Sequence, residues 1–294
     1  MTHSGYSALD GSLARHFIVP FSKIPSFLPP GSPRLDVVKT RADVYCRCLV
    51  AALMCSRGSR NDTVFTGVFL GGAPRAPSAA AAGSGGGGGA APCSLLACGA
   101  HVRALRPDQH TCAAILSAAL PGGAPAVGDA LWDEACNSLA GRRGCCAGFW
   151  LSRGGLREAV LRACSAPLSG GAPAVLLLAQ GAPPLEPQLG ALATTRATSL
   201  VVLLGDDGGW EGGALADAEA AAREGGAVAV LHASLGPTEL LASACITITH
   251  YVLDARLGGS ATAKPAPPPE GGGAVPGADA PRPCPHCRPV AQPL

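Results

Sequence analysis

Three continuous apolar runs in the second half of the chain constrain its fold more than any other feature. They are "AVLLLAQG", "LVVLLGDDGG" and "AVAVLHASLG", and each ends in residues that break regular structure. Strands buried on both faces of a parallel sheet show this unbroken enrichment in Val and Leu, whereas half-exposed strands alternate. The helix-like segment "ALADAEAAAREGG" separates the second run from the third. The sequence therefore predicts an α/β fold with a parallel sheet.

The loops after these three runs are the candidate ligand site. In open α/β sheets, ligands bind outside the carboxyl ends of the strands, where such loops converge. A shared pocket there has apolar walls, free backbone amides and two carboxylates, Asp206 and Asp207. The loop "LGDDGGWEGG" lacks the G-x-G-x-x-G spacing of a dinucleotide site. The pattern favours a flat, partly cationic ligand that is recognised largely by the main chain. The predicted apolar wall residues are Leu178, Leu204, Leu235 and Leu240.

Composition indicates which parts of the chain fold. The 294 residues include 40 Gly and 27 Pro, many of them in runs too simple to specify packing. We predict a disordered N-terminus at 1–14 and one domain at 15–258. A low-complexity insertion at about 72–92 interrupts this domain, and a disordered tail rich in Pro and Gly follows at 259–294.

Hydropathy and cysteine usage indicate a cytoplasmic protein without a membrane span. The mean hydropathy of +0.28 comes largely from Ala, and no window approaches the roughly 20 apolar residues that cross a bilayer. The first 25 residues do not resemble a secretory signal, so the 13 cysteines fit reduced thiols better than a disulfide framework. The tail contains "CPHC" without a second ligand pair nearby, so we predict no metal site.

Basic residues are concentrated in the first half of the chain. Six of them lie between residues 30 and 60 against two acids, while residues 200–260 contain eight acids and two arginines. The basic part is able to meet a polyanion. The same arginines are also explained if they lie on solvent-exposed faces of helices. Composition alone does not distinguish this interpretation from binding of a polyanion.

The remaining elements are predicted from local patterns. "HFIVPF" at 16–21 is typical of a strand, and the following apolar spacing indicates a helix that stops at Gly58. "TVFTGVFLGG" and "CCAGFWL" indicate strands, and "GGLREAVLRACS" a helix. "SLLACGAHVRAL" predicts a strand hairpin, and "RPDQHTCAAILSAAL" a helix with Pro107 near its first turn.

Several stretches, taken in order, resemble the tRNA (pseudouridine(54)-N(1))-methyltransferase family of the TrmY type. "TRADVYCRCLVAALMCSRGSRNDTVFTGVFLGG" is similar to that family's "R-L-D-x-L-C-R-C … S-H-x-I-R-x-D" block. "LRPDQHTCAAILSAAL" is similar to "S-P-D-E-R" and its helix, and "LVVLLGDDGGW" to "V-F-I-x-G-D-H". "SLGPTELLASACITITHYVLD" is similar to the family's "S-L-x-P-x-x-L-H-A-x-H-C-I-T-I-x-H-N-x-L-D" end. Only the last block is specific by itself, and the resemblance spans residues 16–254.

The resemblance implies a SPOUT-class fold whose C-terminal part threads a trefoil knot that holds S-adenosyl-L-methionine, usually in a homodimer. The Leu-Gly-Pro corner and the helix after it are then the knot loop. The cofactor-binding residues that the motifs imply are Leu178, Gly205, Leu235, Gly236, Pro237, Thr238, Glu239, Leu240 and Cys245.

The resemblance also implies methyl transfer to N1 of a pseudouridine in tRNA, which is an in-line displacement. Asp206 is the candidate proton acceptor or ring-orienting group, and Arg47 is the second candidate catalytic residue. RNA contacts are predicted for Arg41, Asp43 and Arg60, although Asp36 in "RLDVV" is an alternative equivalent of Asp43.

Departures from the motifs leave a second interpretation open. Asp207, Leu241 and Ala244 replace the family's histidines at the pocket rim. Loss of these histidines is expected to affect contacts with the substrate more than binding of the cofactor. The alternative is therefore a catalytically weakened or inactive relative that acts as an RNA-binding protein.

Overall fold

The computed structural model describes residues 13–24, 36–56, 58–70, 92–102, 105–120, 148–167, 171–205, 209–210 and 213–257. The elements within these ranges are β1 Ala14–Phe21, α1 Ala42–Leu53, β2 Met54–Cys55, β3 Gly58–Ser59, β4 Thr63–Phe69, β5 Cys93–Cys98, α2 Gln109–Ala119, β6 Phe149–Arg153, α3 Leu156–Ser165, β7 Pro173–Leu178, α4 Leu185–Ala193, β8 Ser199–Leu203, α5 Ala214–Glu224, β9 Ala229–Ala233 and α6 Ala242–Leu257.

A seven-stranded sheet with the order β6-β5-β4-β1-β8-β7-β9 forms the centre of the molecule. Strand β5 is antiparallel to both β4 and β6, and the other neighbouring pairs are parallel. The predicted α/β class with a mostly parallel sheet is therefore confirmed. The trefoil knot stays a prediction.

Both faces of the sheet are covered by helices, which explains the unbroken apolar runs. Leu200 and Val202 of β8 belong to the core shared with α1, α2, α4 and α6. Val201 and Leu203, which alternate with them, belong to the core shared with α3 and α5. All four side chains are at most 1% exposed. Each contributes about 1.5–3 kcal/mol by burial, so a polar residue on either face destabilises the sheet.

Several boundaries differ from those predicted. Helix α1 ends at Leu53 instead of continuing to Gly58, because the next residues form the short hairpin in which Met54 pairs with Ser59. The predicted hairpin in "SLLACGAHVRAL" is wrong: the described part contains one strand, β5, whose two edges are taken by β4 and β6. Pro107 directly precedes the N-cap of α2, Asp108, and so lies near the first turn as predicted.

Helix α4 was not predicted. Its sequence, "LEPQLGALA", contains a Pro and a Gly, which argue against a helix. Leu185, Leu189 and Leu192 nevertheless lie one helical turn apart and are each 3% exposed. Their burial against the sheet outweighs the weak local propensity.

A buried polar cluster anchors α6 to the start of the chain. Arg15, only 1% exposed, donates from Nη1 to His250 Nδ1 over 2.8 Å, and its Nη2 lies 2.6 Å from Asp254 Oδ1. Arg60 Nη2 donates to Asp254 Oδ2 over 2.9 Å. Arginine cannot accept, so the His250 proton lies on Nε2, which donates to the Ala52 carbonyl over 3.0 Å. The cluster therefore ties β1, α1 and the β3–β4 connection to one face of α6.

Burial and charge set the protonation of this cluster. Burial, reinforced by the Arg60 and Arg15 charges, lowers the pKa of His250 to about 3. Burial alone would raise the pKa of Asp254, but hydrogen bonds and charges from Arg60 and Arg15 leave it below its usual value. At neutral pH the cluster therefore contains two guanidiniums, one carboxylate and a neutral imidazole. None of the described helices is long and apolar enough to cross a membrane.

Candidate functional site

A cavity of about 140 Å³ lies at the carboxyl ends of β7, β8 and β9, which are adjacent in the sheet. The chain leaves β7 for β8 on one side and then returns past β7 to reach β9 on the other. Strand order therefore changes direction here, which is where open α/β sheets bind ligands. The lining residues are Leu178, Ala179, Gln180, Leu204, Gly205, Gly209, Trp210, Ser234, Leu235, Gly236, Thr238, Glu239, Leu240, Ala242 and Cys245.

The corner after β9 presents bare backbone to this cavity. Gly236 has φ of +131°, and a Cβ added there would meet no atom within 4 Å. Ser234 Oγ stabilises the turn, since it donates to the Gly236 carbonyl over 3.0 Å and accepts from the Gly236 amide over 3.2 Å. The amides of Thr238 and Leu240 donate no hydrogen bond to any residue that the structure describes. The corner therefore offers main-chain donors to a ligand.

Gly205 and Gly209 approach each other closely beside the cavity. A Cβ on Gly205 would come within 2.6 Å of the carbonyl carbon and oxygen of Gly209, so only glycine permits this approach. Beyond it, Trp210 Nε1 donates to the Leu178 carbonyl over 2.8 Å and closes the end of β7. Trp210 was not among the predicted site residues. The sequence feature that could have identified it is an aromatic residue in a glycine-rich loop, in a chain with only 4% aromatics.

A second, larger cleft of about 680 Å³ adjoins the cavity. Its walls are α1, the start of α2 and the first turns of α6. Ala242 and Cys245 line the cavity, whereas Ser243, Ala244 and Thr247 line the cleft. The first turn of α6 is thus a shared wall between the two spaces. The other cleft residues are Asp43, Cys46, Arg47, Val50, Ala51, Pro107, Asp108 and Gln109.

At the mouth of the cleft, the guanidinium groups of Arg41 and Arg47 both contact the carboxylate of Asp43. Arg47 Nη2 donates to Asp43 Oδ2 over 2.7 Å, and Arg41 Nε donates to Asp43 Oδ1 over 3.2 Å. The Arg47 side chain is 45% exposed and Arg41 is 41% exposed. Arg41 has φ of +57°, a left-handed conformation that is uncommon outside glycine. Two guanidiniums therefore lie beside one carboxylate here, and the cleft lining contains a second carboxylate, that of Asp108.

Asp108 is the N-cap of α2, and both of its carboxylate oxygens accept hydrogen bonds. Its Oδ1 accepts from the Thr111 amide over 2.7 Å, and its Oδ2 accepts from Thr111 Oγ1 over 2.8 Å. The backbone hydrogen bond from Thr111, followed by that of its hydroxyl, lowers the pKa of Asp108. The residue therefore fixes the start of α2 against the cleft.

The structure brings most of the predicted site residues together. Among the predicted cofactor-binding residues, only Pro237 does not line the cavity, although both of its neighbours do. Arg47 and Asp43 line the adjacent cleft, and Arg41 contacts Asp43. Asp206 and Asp207 lie outside the described residues, as do the predicted insertion and the "CPHC" tail.

Arg60 is placed differently from the other predicted RNA contacts. Its side chain is only 16% exposed, and the guanidinium is held by Asp254 in the cluster below α6. The guanidinium is therefore less accessible to phosphates than those of Arg41 and Arg47, and an RNA contact for Arg60 stays a prediction. The sequence offered no signal for the pairing, since the partners are 194 residues apart.

Cysteines at the site are not activated as nucleophiles. Burial raises the pKa of the Cys245 thiol, which donates weakly to the Leu240 carbonyl over 3.9 Å. Burial also raises the pKa of Cys48 to about 12. Thiolates are the reactive form, so both residues act here as apolar packing groups. No group of three or more possible metal ligands occurs among the described residues.

A solved structure resembles this chain at low sequence identity. No family model matches the chain, and no curated protein matches it. The crystal structure of Archaeoglobus fulgidus Nep1 bound to S-adenosylhomocysteine aligns with 83% of this chain and 98% of that chain. The TM-score is 0.46 and the sequence identity is 12%. Similarity at this level does not assign the chain to a family.

Proposed function

We propose that the protein is an S-adenosyl-L-methionine-dependent methyltransferase that acts on N1 of pseudouridine at position 54 of the tRNA T-arm. One observation carries the proposal: a cavity with exposed main-chain donors and a cleft that contains Arg47 share the first turn of α6 as a wall. A group-transfer enzyme needs adjacent donor and acceptor sites, because alignment of the reacting atoms supplies much of its rate. The motif resemblance supports the identity of both ligands.

The cavity residues suit one end of the cofactor. Leu178, Leu204 and Leu235 provide apolar surfaces for a flat ring, and the open backbone around Gly236 provides hydrogen bonds. The cavity is smaller than the roughly 300 Å³ at the lower end of small-molecule pockets, so it accommodates only part of such a ligand. When bound, the cofactor supplies an electrophilic methyl group on a sulfonium.

The cleft residues suit a nucleoside that carries phosphates. Arg47 and Arg41 stand at the mouth, where they bind the RNA backbone. Asp43 holds both guanidiniums, and its engaged oxygens make it an orienting group for them, not a base. Asp206 follows the described end of the β8 loop and remains the candidate that accepts the N1 proton.

A non-catalytic RNA-binding protein is the second candidate. The observation that favours it is the scarcity of free acid–base groups in the cleft, where both described carboxylates are engaged by other residues. Ala244 adds no polar group to the shared wall. This candidate keeps RNA and cofactor binding but lacks methyl transfer.

We also propose that the chain works as a homodimer in the cytoplasm. Support for the dimer comes from the resemblance and from two exposed apolar residues at α6: Tyr251 is 74% exposed and Leu241 52% exposed. Light scattering with Tyr251→Asp tests it, and a wild-type protein that is monomeric at micromolar concentration contradicts it.

The decisive experiment is nucleoside mass spectrometry of a pseudouridine-modified tRNA after incubation with the protein and isotope-labelled cofactor. We expect one labelled methyl group on the T-arm pseudouridine, and none on an unmodified transcript that has uridine there. Binding of both ligands without label favours the non-catalytic candidate. RNA binding that does not weaken with salt contradicts both candidates, because phosphate contacts release counterions.

A further inference from the structure

Most polar side chains that line the cleft already have a hydrogen-bond partner. The Arg47 guanidinium donates to the Asp43 carboxylate over 2.7 Å, and both oxygens of Asp108 accept hydrogen bonds from Thr111. The Thr247 hydroxyl donates over 3.0 Å to the backbone carbonyl four residues before it. These side chains are committed to the protein itself and are less available to a ligand.

Two polar side chains of the lining differ from the others, the Gln109 carboxamide and the Ser243 hydroxyl. Neither forms a hydrogen bond with any residue in the part of the chain that the structure describes. Gln109 begins α2 and is exposed, whereas Ser243 lies in the first turn of α6 and is half-buried. They stand on different walls of the cleft, and the function proposed above gives neither of them a role.

Ser243 lies where the cleft adjoins the cavity. Ala242 and Cys245, its neighbours on α6, line the cavity, while Ser243 itself lines the cleft. A methyl group that passes from the cavity to the cleft must cross this wall, so the acceptor atom of a bound nucleobase lies beside α6. None of the described residues of α2 lines the cavity, so Gln109 is suited to parts of the nucleobase farther from that atom.

We propose that Gln109 and Ser243 make the cleft specific for a uracil-type ring, an inference that rests on the proposed function for the presence of a nucleobase there. The Ser243 hydroxyl donates to the ring carbonyl next to the methyl-accepting nitrogen. The Gln109 carboxamide accepts from the ring N3–H and donates to the second carbonyl. Val50, Ala51 and Pro107 add apolar surface for the faces of the ring.

The choice of ring follows from the order of donors and acceptors along its edge. Uracil presents a carbonyl, an N–H and a second carbonyl, and the acceptor and donor of one carboxamide match the last two. Cytosine presents two adjacent acceptors at the corresponding positions, so the Gln109 carboxamide leaves one acceptor facing another in either orientation. Uridine and pseudouridine present the same edge, because their rings differ by a half-turn about the axis through N3. The pair therefore selects the ring, and only pseudouridine then offers an N1–H for transfer.

The Ser243 hydroxyl also has a role in the transfer step. N1 gives its proton to the proton acceptor, for which Asp206 is the candidate, and the electron pair left on N1 forms the new bond to the methyl carbon. The C–S bond breaks and its electron pair stays on sulfur, which becomes a neutral thioether. Until the new bond forms, negative charge is shared between N1 and the ring oxygens, and a donor at the adjacent oxygen stabilises it. Loss of such a donor corresponds to about tenfold or more in rate.

Binding of RNA hairpins to the full-length protein tests the selection of the ring. Three hairpins carry uridine, cytidine or N3-methyluridine at the same loop position, and fluorescence anisotropy gives their dissociation constants. We expect wild type to bind the uridine hairpin about threefold to tenfold more tightly than the other two. In Gln109→Ala the three constants should converge. Ser165→Ala is the control and should keep the preference, because this exposed hydroxyl donates to its own helix, outside both cavities.

Steady-state methylation of a pseudouridine-containing hairpin tests the role of Ser243. Ser243→Ala should lower kcat by about tenfold or more with a smaller change in KM, and Ser243→Thr, which keeps the hydroxyl, should restore most of the rate. Thr247→Val should lower kcat less than Ser243→Ala does, because the Thr247 hydroxyl is already bonded. Equal effects of these two variants, or a change in KM alone, overturn the role of Ser243.

The outcomes separate this inference from the proposed function. Wild type that binds no hairpin contradicts the proposed function, and the inference falls with it. Wild type that prefers the uridine hairpin but transfers no methyl group supports the selection of the ring, favours the non-catalytic candidate and overturns the role of Ser243 in transfer. Equal binding of the three hairpins together with methyl transfer overturns the inference and leaves the proposed function intact.

Discussion

The buried His250 should make the protein sensitive to mild acid. Its imidazole is held neutral between Arg15 and the Ala52 carbonyl, and burial lowers its pKa to about 3. In the unfolded chain the pKa returns to about 6.5. Between these values the unfolded state binds a proton that the folded state does not, so stability rises with pH across this window and falls as the solution is acidified. From pH 7 to pH 5 this one group removes about 2 kcal/mol of unfolding free energy.

Urea unfolding at pH 7, 6 and 5 measures this loss. The variant His250→Gln keeps an acceptor and a donor without a titrating group, so its own loss over the same range should be smaller by about 2 kcal/mol. Because Asp254 loses its contribution only below its unfolded pKa of about 3.9, it does not blur the comparison above pH 5. His232→Gln is the surface control, since its contact with Glu219 at 3.4 Å is exposed. Equal pH dependence in wild type and His250→Gln would refute the reasoning.

Four further changes test the fold and the site. Asp254→Asn should cost about 3 kcal/mol in urea unfolding because it leaves a buried guanidinium unpaired, whereas Asp43→Asn on the exposed face of α1 should cost less than about 1 kcal/mol; similar losses for the two would contradict the contrast. Arg47→Ala should weaken tRNA binding and leave cofactor affinity unchanged by calorimetry, and parallel losses would remove Arg47 from the RNA side. Gly236→Val should abolish cofactor binding, because a branched side chain at φ of +131° is strained and projects into open space at the cavity; retained binding would exclude the corner. Deletion of residues 259–294 should preserve methyl transfer, because the sheet and both cavities are built from earlier residues, and a folded but inactive truncation would show otherwise.

Local patterns were sufficient for the late strands and the corner. The apolar runs of β7 and β8 are recognisable because both strands are buried along their whole length, whereas β9 is mostly half-buried and contains His232. The Gly- and Pro-containing loops after these strands predicted the position of the cavity correctly, because parallel strands bring their carboxyl ends to one edge of the sheet. These inferences needed no information about distant partners.

Features that depend on distant pairing were not accessible from the sequence. Arg60 looked like a surface cation until its partner Asp254 was placed beside it, and β5 looked like half a hairpin until β6 occupied its other edge. Helix α4 was missed because its Pro and Gly obscure a pattern of buried leucines. In each case a tertiary contact outweighs the local preference.

The buried Arg15 also limits how this protein can be made. Its partners, His250 and Asp254, lie 235 and more residues further along the chain. A ribosome that adds about 5–20 residues per second needs roughly 10–50 s to reach them. A fragment that ends before α6 lacks both of these partners, so the native arrangement around Arg15 is completed only when translation is nearly finished.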